Sequence, residues 1–151
     1  MEYAVELKPK AIKDLRGIDK TKATRIADAL ERLQTDLHGD VKKLTSHTPE
    51  YRLRVGDYRV LFEVAGPNRV VVYRIIHRRE AYRYGGTMEL HPRILEKNGK
   101  KEFVILPYEE FEYIENELSD YYDLKDLREA KQVEQDAETH SLGEVREELG
   151  L

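Results

Sequence analysis

The chain has 151 residues, no cysteine and five scattered histidines, which excludes a disulfide framework or a thiolate metal site and makes a zinc site improbable. Its net charge of −4 conceals a division: residues 1–83 carry 18 lysines and arginines against 12 acidic side chains, a net of +6, and the other 68 carry 8 against 18, a net of −10. No apolar run approaches the roughly 20 residues that span a bilayer, and no signal-peptide core stands at the start, so a soluble cytoplasmic protein without a membrane partner is expected.

Residues 2–7 alternate in the manner of a short strand, closed by Lys8-Pro9-Lys10. A helical pattern begins at Ala11, breaks near Gly17 and resumes after Asp19, a residue suited to an N-cap. Ile26, Ala29, Leu30, Leu33 and Leu37 then recur at intervals of three and four, one apolar stripe facing a core. His38-Gly39-Asp40 ends it, and a polar loop is expected as far as Pro49. Strand-like runs follow at 51–55, 58–64 and 69–76, parted by turns at Gly56-Asp57 and Gly66-Pro67-Asn68, as in an antiparallel meander. The third run is nearly all apolar apart from its ends and Arg74, which predicts a central strand. This half therefore reads as a small α+β domain: a strand, two helices and a three- to four-stranded antiparallel sheet with the helices on one face.

Tyr84-Gly85-Gly86-Thr87 breaks the pattern. A Gly-Gly pair followed by Met88 resembles a short linker ahead of a former start codon, natural or engineered, and divides the chain into 1–83, a linker at 84–87, and 88–151. Runs at 93–97 and 101–106 around Asn98-Gly99 predict a hairpin, and Pro107 opens a long acidic helix. Along that helix Phe111, Ile114, Leu118, Tyr121, Tyr122, Leu124, Leu127 and Ala130 keep roughly helical spacing. Polar residues 132–140 interrupt. Ser141, with Glu144 three residues later, forms a capping box for a last helix bearing Leu142, Val145 and Leu149. These stripes have no local core, so the acidic half is expected to lie as a hairpin and extended helices on another surface, for which the basic half is the obvious choice.

Arg52 and Arg54 lie two apart on one strand and project from the same face, and Arg59 follows across the turn. Three guanidiniums at close quarters repel one another unless an anion lies among them, and arginine offers phosphate a planar fork. Each taken singly has a plainer alternative, a solvated side chain or one paired with an acidic neighbour. Lys8, Lys10, Lys13, Arg16, Lys42 and Lys43 are candidates for non-specific, salt-dependent contacts to RNA phosphates, or simply solvated cations. Tyr108, Tyr113, Tyr121 and Tyr122 sit among acidic residues that repel RNA, and so fit a protein interface better than bases. The interface candidates are Tyr108, Phe111, Ile114, Leu118, Tyr121, Tyr122, Leu124, Leu127, Leu142, Val145 and Leu149.

The runs EYRLRVGDYRVLFEV and VVVYRIIHRREAYR, at this separation, resemble the RelE/ParE toxin family, and its RelE branch in particular, over residues 1–83. KKEFVILPYEEFEYIE and ETHSLGEVREELGL resemble antitoxins of the Phd/YefM and RelB kind, of whose DNA-binding part only the last hairpin is represented, which puts operator-DNA binding in doubt. The resemblance implies a toxin that cleaves messenger RNA on the ribosome with no metal or cofactor. The ribose 2′-OH attacks the adjacent phosphorus, leaving a cyclic phosphate and a free 5′-OH. It also implies an acidic partner that neutralises the toxin, within one chain or between chains, and leaves a homo-oligomer open.

Carried over by position, Arg59 matches a phosphate-binding arginine, Arg78 a transition-state arginine and Tyr82 a catalytic tyrosine. Arg52 and Arg54 stand where lysines are common, and arginine does not give up its proton to act as a base. The proton-transfer role therefore falls to His77 or Tyr82, and Tyr82 has the further option of stacking on a base. Arg54, Arg59, His77, Arg78 and Tyr82 form the expected catalytic set. Two rivals remain: a ParE-like inhibitor of DNA gyrase, and a non-catalytic module whose basic face exists only to bind the acidic half.

Overall fold

The computed structural model describes residues 1–77 and 90–151. They fall into two compact units, Met1–Arg78 with Tyr122–Leu151, and Arg79–Tyr121. In chain order the elements are β1 (Ala4–Leu7), α1 (Pro9–Arg16), α2 (Lys20–Arg32), β2 (Val41–Lys43), β3 (Glu50–Val55), β4 (Tyr58–Ala65) and β5 (Arg69–His77), followed by β6 (Arg93–Lys97), β7 (Lys100–Ile105), α3 (Tyr108–Glu134), β8 (His140–Ser141) and α4 (Leu142–Leu149).

Local chemistry accounts for most of these boundaries. Pro9 starts α1, where its missing N–H is not needed. Asp19 takes the N-cap position of α2 but makes no side-chain cap hydrogen bond. The apolar stripe of that helix ends one turn earlier than its spacing predicts: Leu37 has φ +54° in the turn that follows, yet still packs against the core. Gly56, at φ +58°, makes the tight connection between β3 and β4. Ser141 caps α4 by accepting the Glu144 backbone N–H at 3.2 Å.

The sheet of the first unit runs β2-β3-β4-β5-β1-β8. It is mixed, not antiparallel, because β1 lies parallel to β5, from Ala4 beside Arg69 to Leu7 beside Val72. It also has six strands where three or four were expected. One extra strand is β2, inside the expected polar loop, where Val41 meets Leu53. The other is β8, contributed by the C-terminal segment, with Ser141 opposite Glu6 and His140 opposite Leu7. Hairpin signals are local and visible in a sequence; the pairing of β1 with β5 and β8 joins segments far apart in it and leaves no such mark.

Strand alternation divides the sheet into two faces. Val60, Phe62, Val70 and Val72 join Ala11, Ile12, Leu15, Ile26, Leu30 and Leu33 of the two N-terminal helices in the main core, which Leu142 and Val145 of α4 complete. Leu61, Val71 and Tyr73 point the other way and meet Leu127 and Ala130 of α3. The C-terminal segment therefore contributes to both faces.

In the second unit β6 and β7 form an antiparallel hairpin turning on Asn98 and Gly99, both at positive φ as a type I′ turn requires. Every residue of its two strands is exposed. Within the same unit Glu110 accepts the His91 backbone N–H. No helix among the described residues is long and apolar enough to cross a membrane.

Candidate nucleic-acid interface

β3 presents Arg52 and Arg54 on one face, and β4 sets Arg59 directly opposite Arg54. Arg52 is itself flanked by Leu61 on β4 and Lys42 on β2. Lys42, Arg52, Arg54 and Arg59 thus share the face that holds Leu61, Val71 and Tyr73. The spacing in the sequence predicted this convergence. It did not predict burial: Arg52, Arg54 and Arg59 are 3, 7 and 1% exposed.

What covers them is α3. Asp123, fully buried, lies between two of the guanidiniums. Its Oδ2 is 3.4 Å from Nη1 of Arg52, and its other oxygen pairs with Nη1 of Arg59. Nη2 of Arg59 also donates to the His77 carbonyl at 3.5 Å. Removing charges of this kind from water costs several kcal/mol per ion and is offset only where close, oriented partners replace the water. A carboxylate held in a fork of arginines is such a replacement.

Further along the same face the signs are reversed. Glu50 and Glu63 stand opposite each other on β3 and β4, and α3 brings cations to them. Arg128 reaches Glu50 at 3.2 Å, and Lys131 reaches Glu50 at 3.4 Å and Glu63 at 2.7 Å. The Tyr73 hydroxyl donates to Glu63 at 3.0 Å. Burial raises the pKa of Glu50, but hydrogen bonds from Thr48 and Arg128 and the charge of Lys131 outweigh it, so the carboxyl lies below its usual range. Lys131 is held above its usual range because the Glu63 and Glu50 carboxylates outweigh its own desolvation. Burial, followed by the Glu63 carboxylate, pushes the Tyr73 phenol up.

The end of α3 and the segment after it are fastened to β1 and α1. Lys8 donates through Nζ to the carbonyls of Gln135 at 3.1 Å and Ala137 at 2.6 Å, a cation at a helix C-terminus. The Lys10 backbone N–H donates to the Glu134 carboxylate at 3.0 Å. Glu6 accepts two hydrogen bonds from Arg69, and also one from Thr139, which together bring its pKa down to about 2 against partial burial. On α4, Arg146 pairs with Asp28 at 2.9 Å and Glu31 at 2.7 Å, both on α2.

Several sequence-predicted positions are corrected by this arrangement. Lys8 is buried and occupied by backbone carbonyls, with its ammonium 5.7 Å from the centre of the Tyr73 ring. Lys10, Lys13, Arg16 and Lys43 remain at the surface, Arg16 bridging to Glu148. His77 does not join the arginines. Arg59 stands opposite Ile76, so the next residue along β5 faces the other way, and the His77 ring meets Tyr58 edge-on at 5.3 Å. Arg78 and Tyr82 lie outside the described residues.

Among the expected interface residues, Leu127, Leu142 and Val145 are buried and Leu149 packs on the core, while Ile114 and Leu124 are half-buried. Tyr108, Phe111, Leu118, Tyr121 and Tyr122 are exposed. The stripe that docks is instead Asp123, Leu127, Ala130, Lys131 and Glu134. The sequence did carry a signal for it: an aspartate four residues before a leucine and seven before an alanine lies on their face of the helix.

A family model described as "ParE toxin of type II toxin-antitoxin system, parDE" matches residues 5–82, just over half of the chain. The chain belongs to the RelE/ParE toxin family. All three arginines fall inside the matched span, and Asp123 lies outside it. A relative named "Toxin RelE3" from Methanocaldococcus jannaschii is 35% identical over 78 residues, 48% of this chain and 88% of its own. Among solved structures, the toxin–antitoxin complex RelBE2 from Mycobacterium tuberculosis aligns at 22% identity over 52% of this chain and all of the matched one, with a TM-score of 0.46. The RelB–RelE complex from Methanococcus jannaschii aligns at 29% identity over 47% of this chain and 87% of that one, with a TM-score of 0.41. The RelE/ParE domain thus takes up the basic half, and the segment that covers its arginines follows it in the same chain.

Proposed function

We propose that residues 1–83 are a RelE-type endoribonuclease that cleaves messenger RNA on the ribosome, and that residues 88–151, joined through 84–87, are an antitoxin that keeps it inactive. The observation that carries this reading is the burial of Arg52, Arg54 and Arg59 beneath a helix that supplies an aspartate to them. A basic surface whose arginines are covered by an acidic segment is a surface whose alternative partner is a polyanion.

With the segment removed, Arg54 and Arg59 would face the phosphate under attack and stabilise charge on its non-bridging oxygens, joined by Arg78 in the transition state. A group that takes the 2′-OH proton and one that protonates the leaving 5′-oxygen complete the reaction. His77 turns its ring away from the arginines, which favours Tyr82 for proton transfer unless the end of β5 reorients on RNA. Arg52, Lys42 and the exposed Lys10, Lys13, Arg16 and Lys43 would hold ribosomal and messenger phosphates without reading sequence.

The test is cleavage of the chain at Gly85-Gly86, with the basic fragment added to a translating extract and messenger breaks mapped by primer extension. Ribosome-dependent breaks that disappear when residues 88–151 are restored are the expected result. Intact messenger together with inhibited DNA gyrase would instead support the second reading, a ParE-like gyrase inhibitor, which the family model's own description favours. Intact messenger and unaffected gyrase would leave a non-catalytic interaction module.

A further inference from the structure

We infer that Asp123 is a built-in substitute for an RNA backbone phosphate, so that the arginine cluster is an oxyanion-binding site filled by the chain's own carboxylate. The inference rests on the functional reading above for the identity of the displaced ligand, and on the geometry for the rest.

Three features of the covered face point to it. First, among the described residues Asp123 pairs with guanidiniums: Arg52 and Arg59 contact it, and Arg54 stands opposite Arg59 in the same buried patch. A carboxylate and a phosphodiester each offer two oxygens to such forks, and arginine stays charged with either. Second, Asp123 is not needed to place the helix. Leu127 and Ala130 seat it on Leu61, Val71 and Tyr73, and Arg128 and Lys131 fix its register through Glu50 and Glu63. Those contacts deliver a carboxylate to the one part of the face where the sheet presents a group of arginines. Third, Asp123 is fully buried, and a charge so placed is tolerated only where close opposite charges replace its water, a role that falls here to guanidiniums.

Two consequences follow. RNA phosphate and docked α3 exclude each other at a single position, so inhibition needs no occlusion of the whole RNA path. A chain that lacks the Asp123 carboxylate keeps its helix seated by Leu127 and Lys131 but leaves a vacancy that small oxyanions fill.

The experiment uses the full chain. The thermal midpoints of wild type, D123A, D123N and the exposed-acid control E129A are measured in sodium phosphate and in sodium chloride at equal ionic strength and pH, with acetate as a second oxyanion. General salting effects act on all four alike and are removed by the control. Expected is a saturable rise of about 5 °C or more in phosphate for D123A, smaller for D123N, whose amide still fills the position, absent from wild type and E129A, and lost when Arg59→Ala is added. Equal responses from all four proteins would overturn the inference. If neither Asp123 variant folds, hydrogen exchange of residues 122–134 in the wild-type chain is followed while a 2′-O-methyl oligoribonucleotide is titrated. Faster exchange there, matched by protection of β3 and β4, supports exclusion at this site, and unchanged exchange with bound oligonucleotide overturns it. Phosphate rescue without messenger cleavage by the freed basic half would leave the oxyanion site standing and remove the ribonuclease reading. Cleavage without rescue would do the reverse.

Discussion

The two faces of the one sheet are covered in different ways. The face under α1, α2 and α4 is closed by interdigitated Leu, Ile, Val and Phe side chains whose only competitor is water. The face under α3 has a small apolar patch, Leu61, Val71 and Tyr73, set between buried arginines on one side and the buried Glu50 with the half-buried Glu63 on the other. The apolar face offers nothing to a polyanion, whether or not α4 is seated on it. A face of paired ions can be handed from one partner to another of like charge, since each partner replaces the water in the same way. The first face holds the domain together, and the second is where a partner can be exchanged.

That contrast can be broken by substitution. The largest effect is expected from Phe62→Ala, at a fully buried site on the apolar face, with a loss of about 3–5 kcal/mol that appears as global unfolding in urea. Leu127→Ala removes an equally buried side chain from the other face, and about 2–4 kcal/mol should be lost. Here the loss should show as faster hydrogen exchange in residues 122–134 while β4 and β5 stay protected. If both variants unfold the domain in one step, the two faces form a single cooperative unit and the contrast fails.

Arg59→Ala or Arg78→Ala in the freed basic half is expected to lower messenger cleavage by about 10²-fold or more, the size of one transition-state donor. A loss below about threefold, against a folded far-ultraviolet spectrum, would take that residue out of the site. Acid sharpens the contrast further. Glu6, at about 2, and Glu50 both have carboxyls held below their ordinary value of 4.5 in the folded chain, so their contribution is complete above that value and is lost as the pH falls through the folded ones. Loss of the Glu50 share, which depends on Arg128 and Lys131 of α3, should loosen the C-terminal segment as the pH falls below about 4.5. The Glu6 share, owed first to Arg69, acts mainly between β1 and β5. Simultaneous loss of segment and core below that pH would count against the contrast. The smallest effect is expected at the rim, where Arg16→Ala breaks an exposed pair with Glu148 and should change stability by less than about 0.5 kcal/mol.

Much of this could be read from residues alone. The order of elements, both tight turns of the meander, the hairpin at Asn98-Gly99 and the Ser141 cap follow from local rules that act within a few residues. So does the convergence of Arg52, Arg54 and Arg59, because strand alternation and a two-residue turn fix which side chains are neighbours. On α3, Tyr108, Tyr121 and Tyr122 are exposed, while Asp123 reaches the arginines and Leu127 and Ala130 pack on the sheet.

By itself, then, the sequence determined the family, the charge division and the arginine cluster, all of which depend on spacing along one or two adjacent strands. Only the tertiary structure decided that β1 runs parallel to β5, that β8 extends the sheet, that His77 faces away from the arginines, and that Asp123 is what fills them. Most of those joinings close long loops, and the cost of closing a loop depends so weakly on its length that no local pattern has to announce which distant residue will arrive.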